Sequence, residues 1–295
     1  MRILILGSQG QVGSSIKEVS TNYNHHFIFL SRKECDISDL QKLKEVIKIN
    51  KPEFIVNCTA FTNVDDSEIK NDDSNLINNT VLVGLSKICL QNNIALFHIS
   101  TDYVFGSSEA ERYKKPMKEN DKTNPINFYG KTKLHGENNI IKSGCKFLIL
   151  RTSWVFGPYG NNFLKTMLNI AKTNESVSVI NDQEGCPTYS IDIANAIINL
   201  IESVDESDFN QILHFSGDQR ETWYSFAEII FSFAKKNELP VPINLIPISS
   251  SDYKSLAKRP SYSVLDSEKI KKYYNIHPSK IEDAIEETIN RINLT

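Results

Sequence analysis

The sequence has few of the features that mark secreted, membrane or nucleic-acid-binding proteins. Its five cysteines are odd in number and widely spaced, and they form neither a C-x-x-C pair nor a metal-binding spacing. No apolar run is long enough for the core of a signal peptide or for a membrane span. A net charge of −3 provides no basic surface for nucleic acid or an anionic membrane. We therefore expect a cytoplasmic protein with reduced cysteines, whose partners are neither nucleic acid nor a membrane.

The N-terminal stretch has the pattern of a dinucleotide-binding loop. Arg2–Leu6 is a short apolar run that predicts a buried strand, and Gly7-Ser8-Gln9-Gly10-Gln11-Val12-Gly13 follows it before a helix through about Val19. Glycines let the backbone turn sharply and approach a pyrophosphate, and the helix N-terminus supplies free N–H groups. The loop lacks the Gly-Lys-Ser/Thr ending of an ATP phosphate loop, which argues against a kinase or an ATPase. The predicted cofactor contacts here are Gly7, Gly10, Gln11, Val12 and Gly13.

The end of the predicted second strand indicates which dinucleotide binds. This strand is His26–Leu30, and Ser31-Arg32-Lys33 follows it where an NAD-selective site usually has an acid for the ribose 2′-hydroxyl. A guanidinium can pair with a 2′-phosphate through two parallel hydrogen bonds, so Arg32 favours NADPH, with NADH possible. The alternative is that Arg32 is a solvated loop charge. Further on, Asp36-Ile37-Ser38 is predicted to cap a helix that runs to about Asn50.

Alternation of strands and helices predicts an α/β fold with a Rossmann-type, doubly wound parallel sheet. A third strand, Glu53–Cys58, leads into the small residues of 59–62, and a fourth, Ile94–Ile99, leads into Ser100-Thr101-Asp102-Tyr103. Ligands bind such sheets at the carboxyl ends of the strands. Thr101 is therefore placed to hydrogen-bond a substrate oxygen, although it could instead only cap or turn the chain.

A tyrosine and a lysine four residues apart are the strongest candidates for chemistry. Asn124-Pro125-Ile126-Asn127 marks a loop, and a helix is predicted after Phe128, so Tyr129 and Lys133 share one helix face. An ammonium beside a phenol favours the phenolate, so we expect Lys133 to lower the pKa of Tyr129. Tyr129 could then act as a general acid or base. Such a pair also occurs by chance on surface helices.

Together, the glycine loop, Thr101, Tyr129 and Lys133 resemble the extended short-chain dehydrogenase/reductase family. Within it, several further blocks are similar to the dTDP-4-dehydrorhamnose reductase branch. These blocks are Ser100–Phe105, Arg151–Phe156, Asn161–Phe163, Ile180–Thr188 and Arg259-Pro260. The resemblance covers nearly the whole chain. It implies an NADPH-dependent reduction of the C4 ketone of dTDP-4-dehydro-β-L-rhamnose, and therefore a nucleotide-sugar substrate.

The resemblance also implies roles for individual residues. Tyr129 would protonate the developing alkoxide, Lys133 would hold the cofactor ribose, and Thr101 would orient the carbonyl. Other cofactor contacts would be Ser31, Arg32, Asp36, Ile37, Ala60, Phe61, Thr62 and Ser100. Substrate contacts would be Thr101, Asp102, Tyr103, Trp154, Asn162, Asp182, Gln183 and Arg259. Arg259 could pair with a diphosphate, although a solvated loop charge is the alternative.

The family pattern predicts two domains and makes a metal unexpected. Residues 1–155 and about 187–216 would form the NADP-binding Rossmann domain, and about 156–186 and 217–295 a smaller C-terminal substrate-binding lobe. In some members, glutamates from both subunits hold magnesium at a dimer interface. This chain has Ser14-Ser15 and Tyr189-Ser190-Ile191 at those places. We therefore expect no metal and a monomer or weak homodimer.

Three other interpretations remain open on the same fold. An epimerase or 4,6-dehydratase of nucleotide sugars would share the cofactor loop, but dehydratases carry an Asp-Glu pair after the catalytic threonine, and here Asp102 is followed by Tyr103. Another 4-keto nucleotide sugar could also be the substrate. A non-catalytic regulatory subunit would not need an intact set of Thr101, Tyr129 and Lys133.

Overall fold

Six parallel strands form the central sheet of the protein, which a computed structural model describes over residues 1–106 and 113–293. In chain order these strands are β1 (Arg2–Leu6), β2 (His26–Leu30), β3 (Phe54–Asn57), β4 (Ala95–Thr101), β5 (Phe147–Thr152) and β10 (Gln211–His214). Their spatial order is β10-β5-β4-β3-β1-β2. The winding direction therefore reverses between β1 and β3, which is where ligands bind open α/β sheets.

Helices cover both faces of this sheet. They are α1 (Gln11–Val19), α2 (Leu40–Asn50), α3 (Val64–Ile69), α4 (Asn71–Asn75), α5 (Val81–Gln91), α6 (Phe128–Lys142), α7 (Phe163–Ala171), α8 (Ser190–Ser203), α9 (Trp223–Lys236), α10 (Glu268–Tyr274) and α11 (Ile281–Asn293). Alternate residues of β1 enter opposite cores, with Ile3 and Ile5 in one and Leu4 and Leu6 in the other. Both faces are buried, as in parallel sheets generally, and the predicted doubly wound sheet is confirmed.

Three two-stranded sheets stand outside the central one. β6 (Val155–Phe156) pairs with β9 (Thr188–Tyr189), β7 (Ser176–Ile180) with β12 (Asn244–Ile248), and β8 (Glu184–Gly185) with β11 (Glu221–Thr222). All of these strands come after β5 in the chain, in the part for which the substrate lobe is predicted. The division into two domains stays a prediction. Within the described ranges, no helix has the length and apolar character needed to span a membrane.

Helix α2 begins later than the sequence predicted. Its N-cap is Asp39, whose side chain accepts a hydrogen bond from the backbone N–H of Lys42 at 2.9 Å. Asp36 instead accepts hydrogen bonds from the backbone N–H and the hydroxyl of Ser38. An aspartate bonded to the residue two positions on closes a turn, so the chain turns before the helix starts. Ile37, predicted to contact the cofactor, is buried in the core.

A π-helical turn at Leu76–Thr80 follows helix α4 and leads into helix α5. That turn directs Asn78 inward, where its amide accepts a hydrogen bond from the N–H of Phe61 at 2.9 Å and donates one to the carbonyl of Phe61 at 3.0 Å. π-helical turns are frequent at functional sites. This one holds the segment that follows β3.

A buried ion pair joins helix α6 to the sheet. Arg151, near the end of β5, donates from Nε to Glu137 Oε1 at 2.9 Å and from Nη2 to Oε2 at 2.7 Å. The two side chains are only 3% and 1% exposed, and the guanidinium also lies over the ring of Phe105. A bidentate pair has one geometry, so it determines how α6 sits against β5.

We expect Glu137→Gln to lower the free energy of unfolding by about 3 kcal/mol or more, because it leaves the Arg151 guanidinium buried without a counter-charge. The measurement is urea unfolding. The control is Glu206→Gln, which breaks the exposed pair with Lys146 and should cost less than about 1 kcal/mol. Equal losses in the two variants would contradict the role assigned to the buried pair.

Candidate active site

A cleft of about 500 Å³ lies at the carboxyl ends of β1, β3, β4 and β5. Its position coincides with the reversal of winding in the sheet, so the cleft lies where a ligand is expected. Predicted site residues that line it are Gly10, Gln11, Val12, Ala60, Thr62, Ser100, Thr101, Asp102, Tyr103, Tyr129, Lys133 and Trp154. Lining residues that sequence reasoning did not single out are Cys58, Thr59, Val64, Ile99, Thr152, Ser153, Val155, Gly160 and Asn161.

The glycine loop after β1 leaves no space for side chains at two of its positions. Gly7 has φ +78°, and a Cβ there would lie 3.0 Å from the side chain of Thr59. A Cβ on Gly13 would lie 2.3 Å from the carbonyl oxygen of Gly7. The loop is tied to β2 because the N–H groups of Gly7 and Ser8 both bond the carbonyl of Leu30 at 3.0 Å. The backbone is thus open to a close approach by a phosphate at the start of α1.

The residues after β2 lie beside this loop. Glu34 accepts hydrogen bonds from both the N–H and the hydroxyl of Ser31 at 2.7 Å. These bonds lower the pKa of Glu34. Arg32 donates from Nε to Asp36 at 2.9 Å, and its side chain is 82% exposed. Asp36 therefore holds the guanidinium at the protein surface, outside the cleft itself.

Tyr129 is buried beside Thr101, as the sequence predicted, but its ionisation differs from the expectation. Burial raises the pKa of Tyr129, the hydrogen bond with Thr101 partly offsets this, and Asp102 adds to the rise. The expected lowering by Lys133 is wrong for this structure, because the loss of hydration is the largest effect on the pKa of Tyr129. The edge of the Tyr103 ring also packs on Tyr129, with centroids 5.7 Å apart.

Lys133 has two partners in the protein interior. Its Nζ donates a hydrogen bond to the carbonyl of Ile99 at 2.8 Å and lies 3.2 Å from Nε2 of His98. Burial lowers the pKa of Lys133 to about 8, and the charge of Glu137 opposes this shift. Sequence reasoning missed His98, although a histidine in the middle of an apolar strand was visible.

Asp102 and Tyr103 complete this end of the cleft. Burial raises the pKa of Asp102 to about 7, so this carboxyl changes charge near neutral pH. Its Oδ1 accepts a hydrogen bond from the hydroxyl of Thr101 at 3.0 Å. Burial also raises the pKa of Tyr103, while the charge of Arg259 opposes the rise.

The remaining predicted substrate residues are not all at the cleft. Trp154 lines it with φ +46° and stacks on Trp223 at 3.5 Å. Asn162 caps α7 by accepting from the N–H of Lys165, and it donates to Gln11 and to the carbonyl of Gly157. Four predicted contacts do not line the cleft, namely Asn162, Asp182, Gln183 and Arg259.

Asp182 instead anchors one end of the loop formed by residues 249–259. Both of its carboxylate oxygens accept hydrogen bonds from the N–H of Ser250, at 2.9 and 3.0 Å, and Oδ2 also accepts from the hydroxyls of Ser249 and Ser250. The carboxylate is therefore satisfied within its own lobe. The neighbouring Gln183 is buried.

A second aspartate anchors the other end of that loop. Asp65 Oδ1 accepts hydrogen bonds from the N–H groups of Leu256 and Ala257 at 3.0 and 2.9 Å. Asp65 Oδ2 accepts one from Nη2 of Arg259 at 2.7 Å. Arg259 is thus an ion-pair partner rather than a solvated charge. The segment 256–259 is held against helix α3, which follows residues 60–62 in the chain.

The fold and this cleft define a Rossmann-type α/β protein of the short-chain dehydrogenase/reductase class. Residues 1–294 match the family described as RmlD substrate binding domain. The chain belongs to that family.

Similar proteins carry one recurring name. A dTDP-4-dehydrorhamnose reductase of Aggregatibacter actinomycetemcomitans is 38% identical over 288 residues, which cover 96% of this chain and 97% of that protein. The crystal structure of a dTDP-4-dehydrorhamnose reductase from Clostridium acetobutylicum has a TM-score of 0.90 at 32% identity, covering 99% and 100% of the two chains. One from Bacillus anthracis, in complex with NADP, has a TM-score of 0.88 at 31% identity, covering 98% of each.

We expect Asp65→Asn to increase hydrogen exchange at the amides of Leu256 and Ala257 by about 10- to 100-fold, because a hydrogen bond to a charged group is worth about 1.5–3 kcal/mol. The measurement is amide exchange resolved by NMR or mass spectrometry. Asp66→Asn is the matched control, since Asp66 pairs with Lys70 on the same helix. Unchanged exchange in Asp65→Asn would show that its carboxylate does not hold the loop.

Proposed function

We propose that this protein catalyses the NADPH-dependent reduction of the C4 ketone of dTDP-4-dehydro-β-L-rhamnose to dTDP-L-rhamnose. The observation that carries the proposal is the cleft, which brings Thr101, Tyr129 and Lys133 to the glycine loop at the switch point of the sheet. Family membership and the names of the similar proteins support the substrate. We expect the substrate to occupy the side of the cleft formed by Asp102, Tyr103 and Trp154.

The residues present fit a dinucleotide. Side chains are sterically excluded at Gly7 and Gly13, which leaves backbone N–H groups at the start of α1 for a pyrophosphate. Arg32 offers a guanidinium at the end of β2 for a 2′-phosphate, and NADH remains possible. The Bacillus anthracis structure contains NADP, which supports NADPH as the preferred form.

Proton donation is the step we assign to Tyr129. A bound NADPH supplies the hydride to C4. Burial raises the pKa of Tyr129. Its phenol therefore stays protonated at neutral pH, as a general acid requires. Thr101 and Tyr129 line the same cleft, and the hydroxyl of Thr101 is proposed to orient the ketone oxygen, so the proton has a short path to the oxygen that becomes the alkoxide. Lys133 lines the same wall and is assigned to the cofactor ribose.

Further parts of the proposal concern organisation. We propose that residues 1–155 and about 187–216 bind the cofactor and that about 156–186 and 217–295 bind the nucleotide sugar. Arg259, held by Asp65, is proposed to meet the diphosphate. We also propose that the protein is a cytoplasmic monomer or weak homodimer. We propose no bound metal, because Ser15 and Ser190 bond each other where some family members have metal-binding glutamates.

The test is NADPH oxidation followed with dTDP-4-dehydro-L-rhamnose made in situ. Wild type should turn over, and Tyr129→Phe should lower turnover by about 100-fold or more, the usual scale for a lost general acid, with unchanged NADPH affinity. Tyr273→Phe, at an exposed tyrosine, is the control and should retain full turnover. Absence of wild-type oxidation would refute the assigned substrate, and full turnover of Tyr129→Phe would refute the assigned proton donor.

Cofactor preference has its own test. Arg32→Ala should weaken NADPH binding by about 10-fold or more while NADH binding changes little, because a charge-assisted pair with the 2′-phosphate is worth about 1.5–3 kcal/mol. Dissociation constants from fluorescence or calorimetry provide the measurement. Lys33→Ala removes the adjacent cation as a control and should affect both cofactors equally. Equal losses for NADPH and NADH in Arg32→Ala would exclude Arg32 as the 2′-phosphate contact.

A further inference from the structure

A chain of buried polar side chains runs beneath the floor of the cleft. Asn57 at the end of β3 lies beside His98 on β4, with Asn57 Nδ2 3.1 Å from His98 Nδ1. On the other side of the ring, His98 Nε2 is 3.2 Å from Lys133 Nζ. All three residues are almost completely buried, so each polar atom must be satisfied within the chain itself.

The orientation of the Asn57 amide is determined by the backbone. The N–H of Thr59 lies 3.1 Å from Oδ1 of Asn57, and the hydroxyl of Thr59 is 2.6 Å from the same atom. A backbone N–H can only donate a hydrogen bond, so the amide atom that faces it must be the oxygen. The amide NH₂ of Asn57 therefore faces His98, and a flipped amide would place two donors against each other.

This orientation selects one tautomer of His98. The NH₂ group is a donor, so Nδ1 of His98 must carry a lone pair and the ring proton must be on Nε2. Protonation of both nitrogens is opposed by burial, which holds the pKa of His98 well below its ordinary value. His98 consequently presents an N–H, and not a lone pair, to Lys133.

The Nζ atom of Lys133 therefore lies between a donor, the Nε2–H of His98, and an acceptor, the carbonyl oxygen of Ile99. An ammonium group has three donors and no acceptor, whereas a neutral amine can accept from His98 and still donate to the carbonyl of Ile99. We propose that His98 is a positioning residue for Lys133, which it contacts as a hydrogen-bond donor in its Nε2–H form, so that the ammonium is destabilised relative to the neutral amine in the cofactor-free protein. The charged alternative leaves two buried donors in opposition.

The other charged groups around Lys133 do not replace this interaction. On α6 itself, Glu137 opposes the neutral form but is held by Arg151 of β5. Tyr129 and Asp102 are at the cleft end, and burial raises the pKa of both. The charged side chains of the helices packed on α6 are paired or exposed elsewhere, namely Asp65, Asp66 and Glu68 on α3, Asp72 and Asp73 on α4, and Lys87 on α5.

The inference deepens the proposed function and rests on it only for its catalytic meaning. A group that must give and take a proton works best with a pKa near the working pH. Burial brings the pKa of Lys133 to about 8, and an N–H from His98 acts in the same direction. Lys133 can therefore gain a proton when a cofactor offers it acceptors, and lose it again.

The test is the ring tautomer of His98 in the cofactor-free protein. Two- and three-bond ¹H–¹⁵N correlation spectra of histidine-labelled protein distinguish Nε2–H from Nδ1–H, with signals assigned by His98→Gln and His214→Gln. His214 is a built-in control with the opposite expectation, because its Nδ1 lies 3.0 Å from the carbonyl of Met117 and must donate to it. We expect Nε2–H for His98 and Nδ1–H for His214, and Nδ1–H for His98 would overturn the proposal.

The Asn57→Asp variant tests the same tautomer assignment for His98 by replacing the amide group with a carboxylate. A carboxylate in place of the amide accepts hydrogen bonds from both sides, so His98 should switch to Nδ1–H while His214 stays unchanged. Failure of His98 to switch in a folded variant would count against the proposal. If the variant does not fold, the wild-type spectrum still decides.

The protonation of Lys133 is a second, independent readout. Its ¹³Cε signal, assigned by Lys133→Met, should titrate with a midpoint near 8. A midpoint above about 10, the ordinary value for lysine, would overturn the proposal. No spectrum uses cofactor or substrate, so failure of the reductase assay and failure of this proposal are separate results.

Discussion

Helix α6 carries three polar side chains into the interior on one face, and the site depends on how each is satisfied. They stand four residues apart, at positions 129, 133 and 137, where a helix repeats its face. Tyr129 lines the cleft with Thr101, Lys133 donates to the carbonyl of Ile99, and Glu137 pairs with Arg151. A buried polar group without a partner costs free energy comparable to a lost hydrogen bond. These three contacts therefore allow only one placement of the helix against β4 and β5.

Several contacts hold the short segments around the cleft. Asn78, on a π-helical turn, bonds both polar groups of the Phe61 backbone. Asp65, which lies four residues after Phe61, holds the loop that carries Arg259. Asp182 holds the same loop at its other end.

Much of the fold followed from local patterns. The strand at Arg2–Leu6, the glycine loop and the helix that carries Tyr129 and Lys133 were predicted because periodicity and turn chemistry act over a few residues. Helix boundaries were less predictable where two nearby aspartates could each cap the helix. Before α2, Asp36 bonds the N–H of Ser38 in a turn, and Asp39 caps the helix by bonding the N–H of Lys42. Asp182 was predicted at the substrate, and only the folded loop shows that serines use its carboxylate.

The sequence by itself determined the fold class, the glycine loop and the Tyr129–Lys133 spacing, because these depend on residues close together in the chain. The tertiary structure alone decided the electrostatics of the site. Burial raises the pKa of Tyr129, where the neighbouring lysine had suggested a lowering. His98 meets Asn57 and Lys133 only through strand pairing and helix packing. Hydration and hydrogen-bond partners come from segments far apart in sequence, so no local pattern contains them.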